Sequence, residues 1–340
     1  MKIALYLGGT SMERDVSLIS GKFIGEALKD LGHQVLYIDP ATSVDQISTQ
    51  IDNNFDIDIS PPSLDEIQEF NHQHLLDLLR EREVSSADFH FIGLHGGIGE
   101  NGLLQGLFEH LGFKYNGPNA SASSVAMNKH LTKQIMVAQG IPTPEWLIVN
   151  RRQWEETPAK VRATIEEKFT PSIVVKPNSQ GSTIGLTILQ TLDGLDTAVE
   201  KAFECDSTVM VEQFIPGREI TASILGSEAL PLIEIKPKHG IYDYQCKYAE
   251  GMSQYDVPAQ LEEAKTKTIQ NFALRLFQSI GASGYSRVDF RLSPALEPLC
   301  LEINTLPGMT KTSLVPKAAN AAGISFGKLL NHIIQHGQRV

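Results

Sequence analysis

The sequence predicts an α/β fold whose C-terminal part is α+β. Two runs near the start, "IALYLGG" and "DFHFIGLHGG", read as buried strands ending in glycines, with helical periodicity between them. Strand, helix and strand in that order, with glycine loops at the strand ends, form an open parallel α/β sheet. From Thr208 onward, strand-like runs crowd together with short connections, the pattern of antiparallel pairing.

The elements follow in order. After the first strand, Val16, Ile19, Phe23, Ala27 and Leu31 recur at helical spacing and predict an amphipathic helix. "HQVLYID" is a second strand, and residues 41–62 are acidic, polar and unpatterned, a surface loop or insertion. Ser63 to Glu66, "SLDE", has capping-box spacing before a helix carrying Leu75, Leu76 and Leu79. A helix over residues 123–139 leads into "GIPTPEW", a Gly/Pro break where a second domain begins. "SIVVKP" and "IGLTIL" are strands joined by "NSQGST"; "TVMVEQ", "EITASIL", "LPLIEIK", "YSRVDFRL" and "LCLEIN" follow. One long helix near residues 259–280 interrupts them, and a last helix closes the chain.

The chain's 340 residues suffice for two or three domains. A formal net charge of -11, with no long Lys/Arg run, argues against a nucleic-acid surface. Cys205, Cys246 and Cys300 lie far apart and form no CxxC pair, which suits a reducing cytoplasm and gives no zinc signature. The initial apolar run is too short for a signal peptide, and no stretch approaches 18 apolar residues, so no membrane span is expected.

Three constellations carry chemistry. In "VVKPNSQGSTIG", Lys176 ends an apolar strand before a loop of glycine, amide and hydroxyl residues that can lay N–H groups over phosphates. The P-loop order is absent, and alone the stretch reads first as a polar hairpin turn. In "VMVEQFIPGREI", Glu212 ends a buried strand and Glu219 follows a Pro-Gly turn; such acids can accept from an amino group or a ribose hydroxyl, or can simply bracket the turn. In the last strand pair, Arg287, Asp289 and Arg291 share one face, as do Glu302 and Asn304. Asp289, Glu302 and Asn304 can converge there as hard oxygen donors suited to Mg²⁺ held partly by substrate phosphates. A salt bridge from Asp289 to an arginine is the plain alternative.

With these residues in view, the sequence resembles the ATP-grasp ligases and, among them, the D-alanine–D-alanine ligases. The likeness runs through "LGGTSMERDVSLISG", "LHGGIGENGLLQG", "MNKHLTK", "VVKPNSQGSTIG", "VEQFIPGREIT", "YDYQCKY", "SRVDF" and "LEINTLPGMTKTSLVP", over nearly the whole chain. It implies a three-domain ATP-grasp architecture: an N-terminal α/β substrate domain (1–122), a central subdomain with the glycine-rich phosphate loop (123–211) and a C-terminal subdomain with metal site and lid (212–340).

The resemblance also implies roles. Lys129 and Lys176 are similar to the phosphate lysines, Glu212 to the adenine acid and Glu219 to the ribose acid. Gln213, Phe214 and Ile215 correspond to the adenine hinge, with Leu301 beneath the base. Asp289, Glu302 and Asn304 correspond to the ligands of two Mg²⁺ or Mn²⁺ ions, and a monovalent cation is also allowed for. Glu13 is similar to the residue receiving the first D-alanine's ammonium, and His95 belongs to the same substrate pocket. Arg287 and the Gly308 amide face the tetrahedral intermediate; Ser313 and Leu314 form the second substrate's pocket. Ser182 and Tyr248 join Glu13 in tying down a mobile loop, the tyrosine-rich "HGIYDYQCKYAEGMSQYDVP", and Lys247 reaches the transferred phosphate. Asn101 stands where the family commonly has Asp.

The implied activity is ligation of two D-alanines with ATP through a D-alanyl phosphate, for peptidoglycan precursors, by a cytoplasmic homodimer. A ligase using D-lactate or D-serine as second substrate is the near alternative; "KY" at 247–248 favours D-alanine. An ATP-binding module without turnover would tolerate loss of Glu13, Arg287 or a metal ligand, and none is lost. A dehydrogenase is excluded because no G-x-G-x-x-G follows the first strand.

Overall fold

The structure is a computed structural model of the chain. It describes residues 1–50, 62, 64–71, 73–238, 242, 244–248, 251–310 and 313–337, apart from the side chains of Leu64, Gln68, Gln245 and Tyr248. The N-terminal unit comprises β1 (Lys2–Tyr6), α1 (Arg14–Asp30), β2 (Gln34–Ile38), α2 (Leu64–Gln68), α3 (His74–Arg80), α4 (Arg82–Ser85), β3 (Phe89–Ile92), α5 (Gly97–Glu100) and α6 (Leu103–Leu111). Its strands pair in parallel in the order β2-β1-β3, as expected. Central β1 is covered on both faces, which is why it reads as an unbroken apolar run.

Helix α1 forms as expected, but it turns a different face to the sheet. The buried stripe is Val16, Ser17, Ser20, Gly21, Ile24, Gly25 and Leu28, whereas Ile19, Phe23 and Ala27 are only half-buried and Leu31 is exposed. The reason is close approach. A Cβ on Gly21 would lie 2.5 Å from Leu7 Cβ, and one on Gly25 would lie 2.2 Å from the Tyr37 hydroxyl. Small residues let the helix backbone settle onto the strands, and hydrophobic periodicity does not register them. In α3, Leu75, Leu78 and Leu79 are buried and Leu76 is exposed. Ser63 of the expected capping box, and residues 51–61 of the polar segment, lie outside the described residues.

The helix expected over residues 123–139 is two helices, α7 (Ala120–Met127) and α8 (Lys129–Ala138). Asn128 separates them: its backbone is extended, and its side chain accepts the Leu131 N–H as an N-cap. The break places Lys129 at the first position of α8. The central unit continues with β4 (Trp146–Asn150), α9 (Arg151–Glu156), α10 (Pro158–Lys168), β5 (Ile173–Pro177), β6 (Thr187–Leu189), α11 (Leu195–Cys205) and β7 (Thr208–Gln213). Its antiparallel order is β4-β7-β5-β6.

The C-terminal unit holds β8 (Arg218–Leu225), β9 (Glu228–Ala229), β10 (Ile233–Pro237), α12 (Tyr244–Tyr248), β11 (Ser253–Asp256), α13 (Glu263–Ser279), β12 (Tyr285–Leu292), β13 (Pro298–Asn304), α14 (Leu314–Ala321) and α15 (Phe326–Gln335). Its antiparallel order is β11-β10-β8-β12-β13, with β9 beside β8. The division drawn at 211/212 falls inside β7, and the chain passes between the two antiparallel sheets over residues 214–217. Ala126 of α7 and Met136 of α8 pack into the core under the C-terminal sheet.

A single closing helix was expected; two are present, divided where Gly323 takes a φ of 78° and Ser325 caps α15. Both pack into the N-terminal core, Val315, Ala318, Leu329 and Ile333 sharing one cluster with Ile3, Leu5 and Ile24. The end of the chain therefore secures its beginning. Among the described residues, no helix is long and apolar enough to cross a membrane.

Candidate active site

Three adjoining cavities run as one trough where the units meet, with volumes near 710, 630 and 610 Å³. Ser182, Lys247 and Glu302 border the first and second; Lys176, Glu219 and Leu301 border the second and third; Tyr242 lines all three. Strand β12 runs beneath them. Its alternate residues Arg287, Asp289 and Arg291 each line a successive cavity. Two strand residues advance roughly 6.6 Å, so the strand spaces one charge per cavity.

The neighbouring strand breaks its own alternation. Asp289 pairs with Glu302, but Phe290 pairs with Cys300, so Leu301 is an extra bulged residue. Cys300 and Ile303, three apart, both enter the core beneath the sheet. Leu301 and Glu302, adjacent in sequence, both face the trough. Asn304, opposite Arg287, faces it as well. One strand thus supplies an apolar floor and two oxygen donors.

At the third cavity, Glu212 is buried between two lysines. Lys176 Nζ donates to Oε2 at 2.6 Å, and Lys133 Nζ lies 2.5 Å from Oε1. Burial pushes the Glu212 carboxyl up, but the two lysines outweigh it and hold it below the usual carboxylate range. Glu219 is treated differently. Arg291 approaches it only at 3.3 Å, and burial, aided by Asp289, pushes its carboxyl up to about 7. Gln213, Phe214, Ile215 and Leu186 complete this cavity, which is mostly apolar.

In the second cavity, Lys129 Nζ donates to the Gln180 carbonyl at 2.6 Å and lies 3.2 Å from Glu302 Oε2. The 181–183 turn crosses above it. Ser182 and Thr183 take φ values of 48° and 60°, strained for residues with a Cβ, and such strain concentrates at ligand sites. In the first cavity, Ser182 Oγ donates to Glu13 Oε1. Cβ atoms on Gly96 and Gly181 would come within 2.8 and 2.9 Å of Glu13 Oε2, so glycine backbones wall the carboxylate on two sides. Burial, then Glu100, push the Glu13 carboxyl up; Ser182, His95 and Lys247 oppose them. His95 is fixed by the Leu306 carbonyl at 3.2 Å and the Ser20 hydroxyl at 3.0 Å. Ser313 Oγ receives the Thr310 N–H at 3.0 Å and stands 3.0 Å from where a Gly308 Cβ would be. Leu314 starts α14 on the same wall. Asn101 accepts the Leu103 N–H at 3.0 Å, a service an Asp carboxylate gives equally.

Asp289, Glu302 and Asn304 fit a hard divalent cation by chemistry and by face. In the structure Asp289 is bound by Arg287 at 2.7 Å and by the Thr221 hydroxyl at 2.7 Å, while Asn304 Oδ1 accepts the Leu306 N–H at 3.0 Å. The Glu302 side chain is about 31% exposed, against 13% for Asp289. Lys129 and its neighbouring cations overcome burial and hold it down to about 2, so it is ready as an anionic ligand.

All the site residues expected from sequence line the trough except Tyr248, whose side chain lies outside the described residues. Family models described as D-ala D-ala ligase N-terminus and D-ala D-ala ligase C-terminus match residues 2–118 and 135–335. The chain belongs to the D-alanine–D-alanine ligase family.

A D-alanine--D-alanine ligase from Syntrophotalea carbinolica is 39% identical, over 98% of this chain and 95% of its own. The structure of the Bacillus anthracis D-alanine--D-alanine ligase complexed with ATP is 31% identical, with a TM-score of 0.75 over 98% of this chain and 96% of that one. The VanG D-Ala:D-Ser ligase of Enterococcus faecalis is 27% identical, with a TM-score of 0.76 over 98% of each chain. Among the charged and aromatic residues to which the sequence reading gave no individual role are Tyr242 and Glu100 in the trough and Lys133 just behind Glu212. A signal for Lys133 existed. It lies four residues after Lys129 on one helix, where like charges repel unless each meets an anion.

Proposed function

We propose that the chain joins two D-alanine molecules into D-alanyl-D-alanine, converting ATP to ADP and phosphate by way of a D-alanyl phosphate. The observation that carries this reading is the β12–β13 ladder, which sets a base pocket, hard oxygen donors and Arg287 along one trough ending at Glu13. Adenine lies on Leu301 against residues 212–215, with Glu212 accepting from its amino group and Glu219 from the ribose. Lys129 and Lys176 hold phosphates. Asp289, Glu302 and Asn304 would hold two Mg²⁺ or Mn²⁺ ions, which would supply charge neutralisation for phosphoryl transfer.

Glu13 receives the first D-alanine's ammonium beside His95. The substrate carboxylate attacks the γ-phosphorus and ADP leaves; Lys247 spreads the charge on the moving phosphoryl group. The second D-alanine, seated at Ser313 and Leu314, attacks the acyl carbon through its amine and phosphate leaves. Arg287 and the Gly308 N–H stabilise the oxyanion. Glu13, Ser182 and Tyr248 latch the lid so that water does not reach the acyl phosphate.

D-Lactate or D-serine as second substrate is the second reading; the likeness to VanG favours D-serine, Lys247–Tyr248 speaks against D-lactate, and the D-alanine--D-alanine ligases among the relatives support D-alanine. We place the enzyme in the cytoplasm as a homodimer and allow for a monovalent cation. A coupled ADP assay with D-alanine, D-serine and D-lactate, followed by chromatography, tests the product. Turnover with D-alanine yields the dipeptide; brisk turnover with L-amino acids and none with D-alanine overturns the reading.

A further inference from the structure

We infer that Lys133 is a positioning residue for nucleotide selection: it keeps Glu212 a carboxylate at the adenine position when Lys176 turns to the phosphates. This rests on the reading of Glu212 as the adenine acid. Lys133 is fully buried, and its ammonium donates two hydrogen bonds and forms one ion pair. The bonds go to Thr143 Oγ1 at 2.5 Å and the Pro144 carbonyl at 3.2 Å, and the ion pair is with Glu212 Oε1 at 2.5 Å. The Trp146 ring lies 5.3 Å from the nitrogen. A lysine so enclosed stays where it is. Lys176, by contrast, lines both the second and third cavities while it holds Glu212 Oε2. It is the member of the pair that a phosphate can draw away.

The consequence for Glu212 is chemical. Its residue is only 2% exposed. A carboxylate buried to that degree takes up a proton when its cations leave. Ionised, it accepts a hydrogen bond from the 6-amino group of adenine and repels the 6-oxo group of guanine or hypoxanthine. Protonated, it no longer separates the two. The groups facing it are Lys133 from α8 and Lys176 from β5; the Cys300 thiol of β13 faces Lys133 and is kept protonated by burial. Among the described residues, Lys133 is thus the cation there that the nucleotide leaves in place. It also joins the two sheets. Thr143 Oγ1 donates to the Cys300 carbonyl at 2.7 Å, and Cys300 N–H donates to the Pro142 carbonyl at 2.7 Å, one residue before Leu301.

The test compares Lys133→Met with wild type, both loaded with Mg²⁺ and D-alanine, reading KM for ATP and for ITP between pH 6 and 9. The variant-to-wild-type ratio of KM for ATP is expected to exceed tenfold at pH 6.5 and fall below threefold at pH 9, with kcat changed less than threefold. Preference for ATP over ITP should shrink at low pH only. A ratio that is flat across pH makes Lys133 merely structural and overturns the inference. Glu212→Gln separates the two layers of argument: if it leaves KM for ATP unchanged, the adenine-acid reading itself fails. In the Glu212→Gln background, Lys133→Met should add less than a twofold change, since no charge remains to be held. Should Lys133→Met fail to fold while the double variant folds, the buried pair is confirmed; should both fail, Lys133 is a stability residue and the inference falls.

Discussion

Glu219 offers a pH dependence with a sign and a size. Its carboxyl is buried, stands near Asp289, and is pushed up to about 7. In the proposed complex it accepts a hydrogen bond from a ribose hydroxyl, which requires the ionised form. Binding then costs deprotonation below pH 7. For a group of pKa about 7, the apparent Kd scales as one plus ten raised to the difference between pKa and pH. Adenosine should therefore bind about tenfold more weakly at pH 6 than at pH 8. Adenosine is the right probe because it has no phosphate and calls for no metal. Calorimetry of the wild type and of Glu219→Gln across pH 6–8 gives the comparison. The variant should bind weakly and without pH dependence, and 2′,3′-dideoxyadenosine should lose the slope in the wild type. A wild-type Kd constant from pH 6 to 8 refutes the reasoning. The same raised carboxyl has a stability sign: the folded state keeps a proton that the unfolded chain has already released above pH 4.5. This group's contribution is therefore greatest in acid and falls as pH rises through 7, by at most about 3 kcal/mol.

Other outcomes follow from the same geometry. Glu302→Ala should abolish ADP release while circular dichroism stays native, because this side chain faces the trough and not the core; near-normal turnover at saturating Mg²⁺ removes it from the metal set. Ser182→Ala loses the hydrogen bond to Glu13, worth about 1–3 kcal/mol when buried, and should raise phosphate released per dipeptide above one; a ratio that stays at one shows that Ser182 does not guard the acyl phosphate. Gly21→Ala forces a methyl group against Leu7 Cβ and should lower stability by roughly 1–3 kcal/mol, read as a lower urea midpoint; an unchanged midpoint means that α1 does not seat on the sheet through this glycine.

The parallel N-terminal sheet and the antiparallel pairing beyond it were legible in the sequence because strand burial writes directly into residue type, whereas the edge strands β4 and β11 were not. The half-exposed β12 could even be resolved into faces, since Arg287, Asp289 and Arg291 alternate with Val288, Phe290 and Leu292. Helix α1 was legible in kind but not in orientation. Its sheet-facing side consists largely of serine and glycine, and a hydrophobicity pattern assigns such residues to solvent. The break at Asn128 depended on a single capping hydrogen bond inside an otherwise continuous helical pattern. Lys133 was hidden for another reason: a fully buried lysine looks, in sequence, like any surface lysine. Its partners, Glu212 on β7 and Thr143 and Pro144 in the loop before β4, are brought to α8 only by the fold.

The bulge at Leu301 divides the site's two tasks between different residues of one strand. Remove that residue and the ladder becomes regular, with Cys300 and Ile303 still inward and Glu302 and Asn304 still outward. The proposed metal donors belong to an ordinary hairpin, and the proposed platform under the base is the one bulged residue. The residue under the base and the oxygen donors are therefore geometrically separable on a single strand. Variation at position 301 can retune the nucleotide while the phosphoryl-transfer apparatus keeps its register.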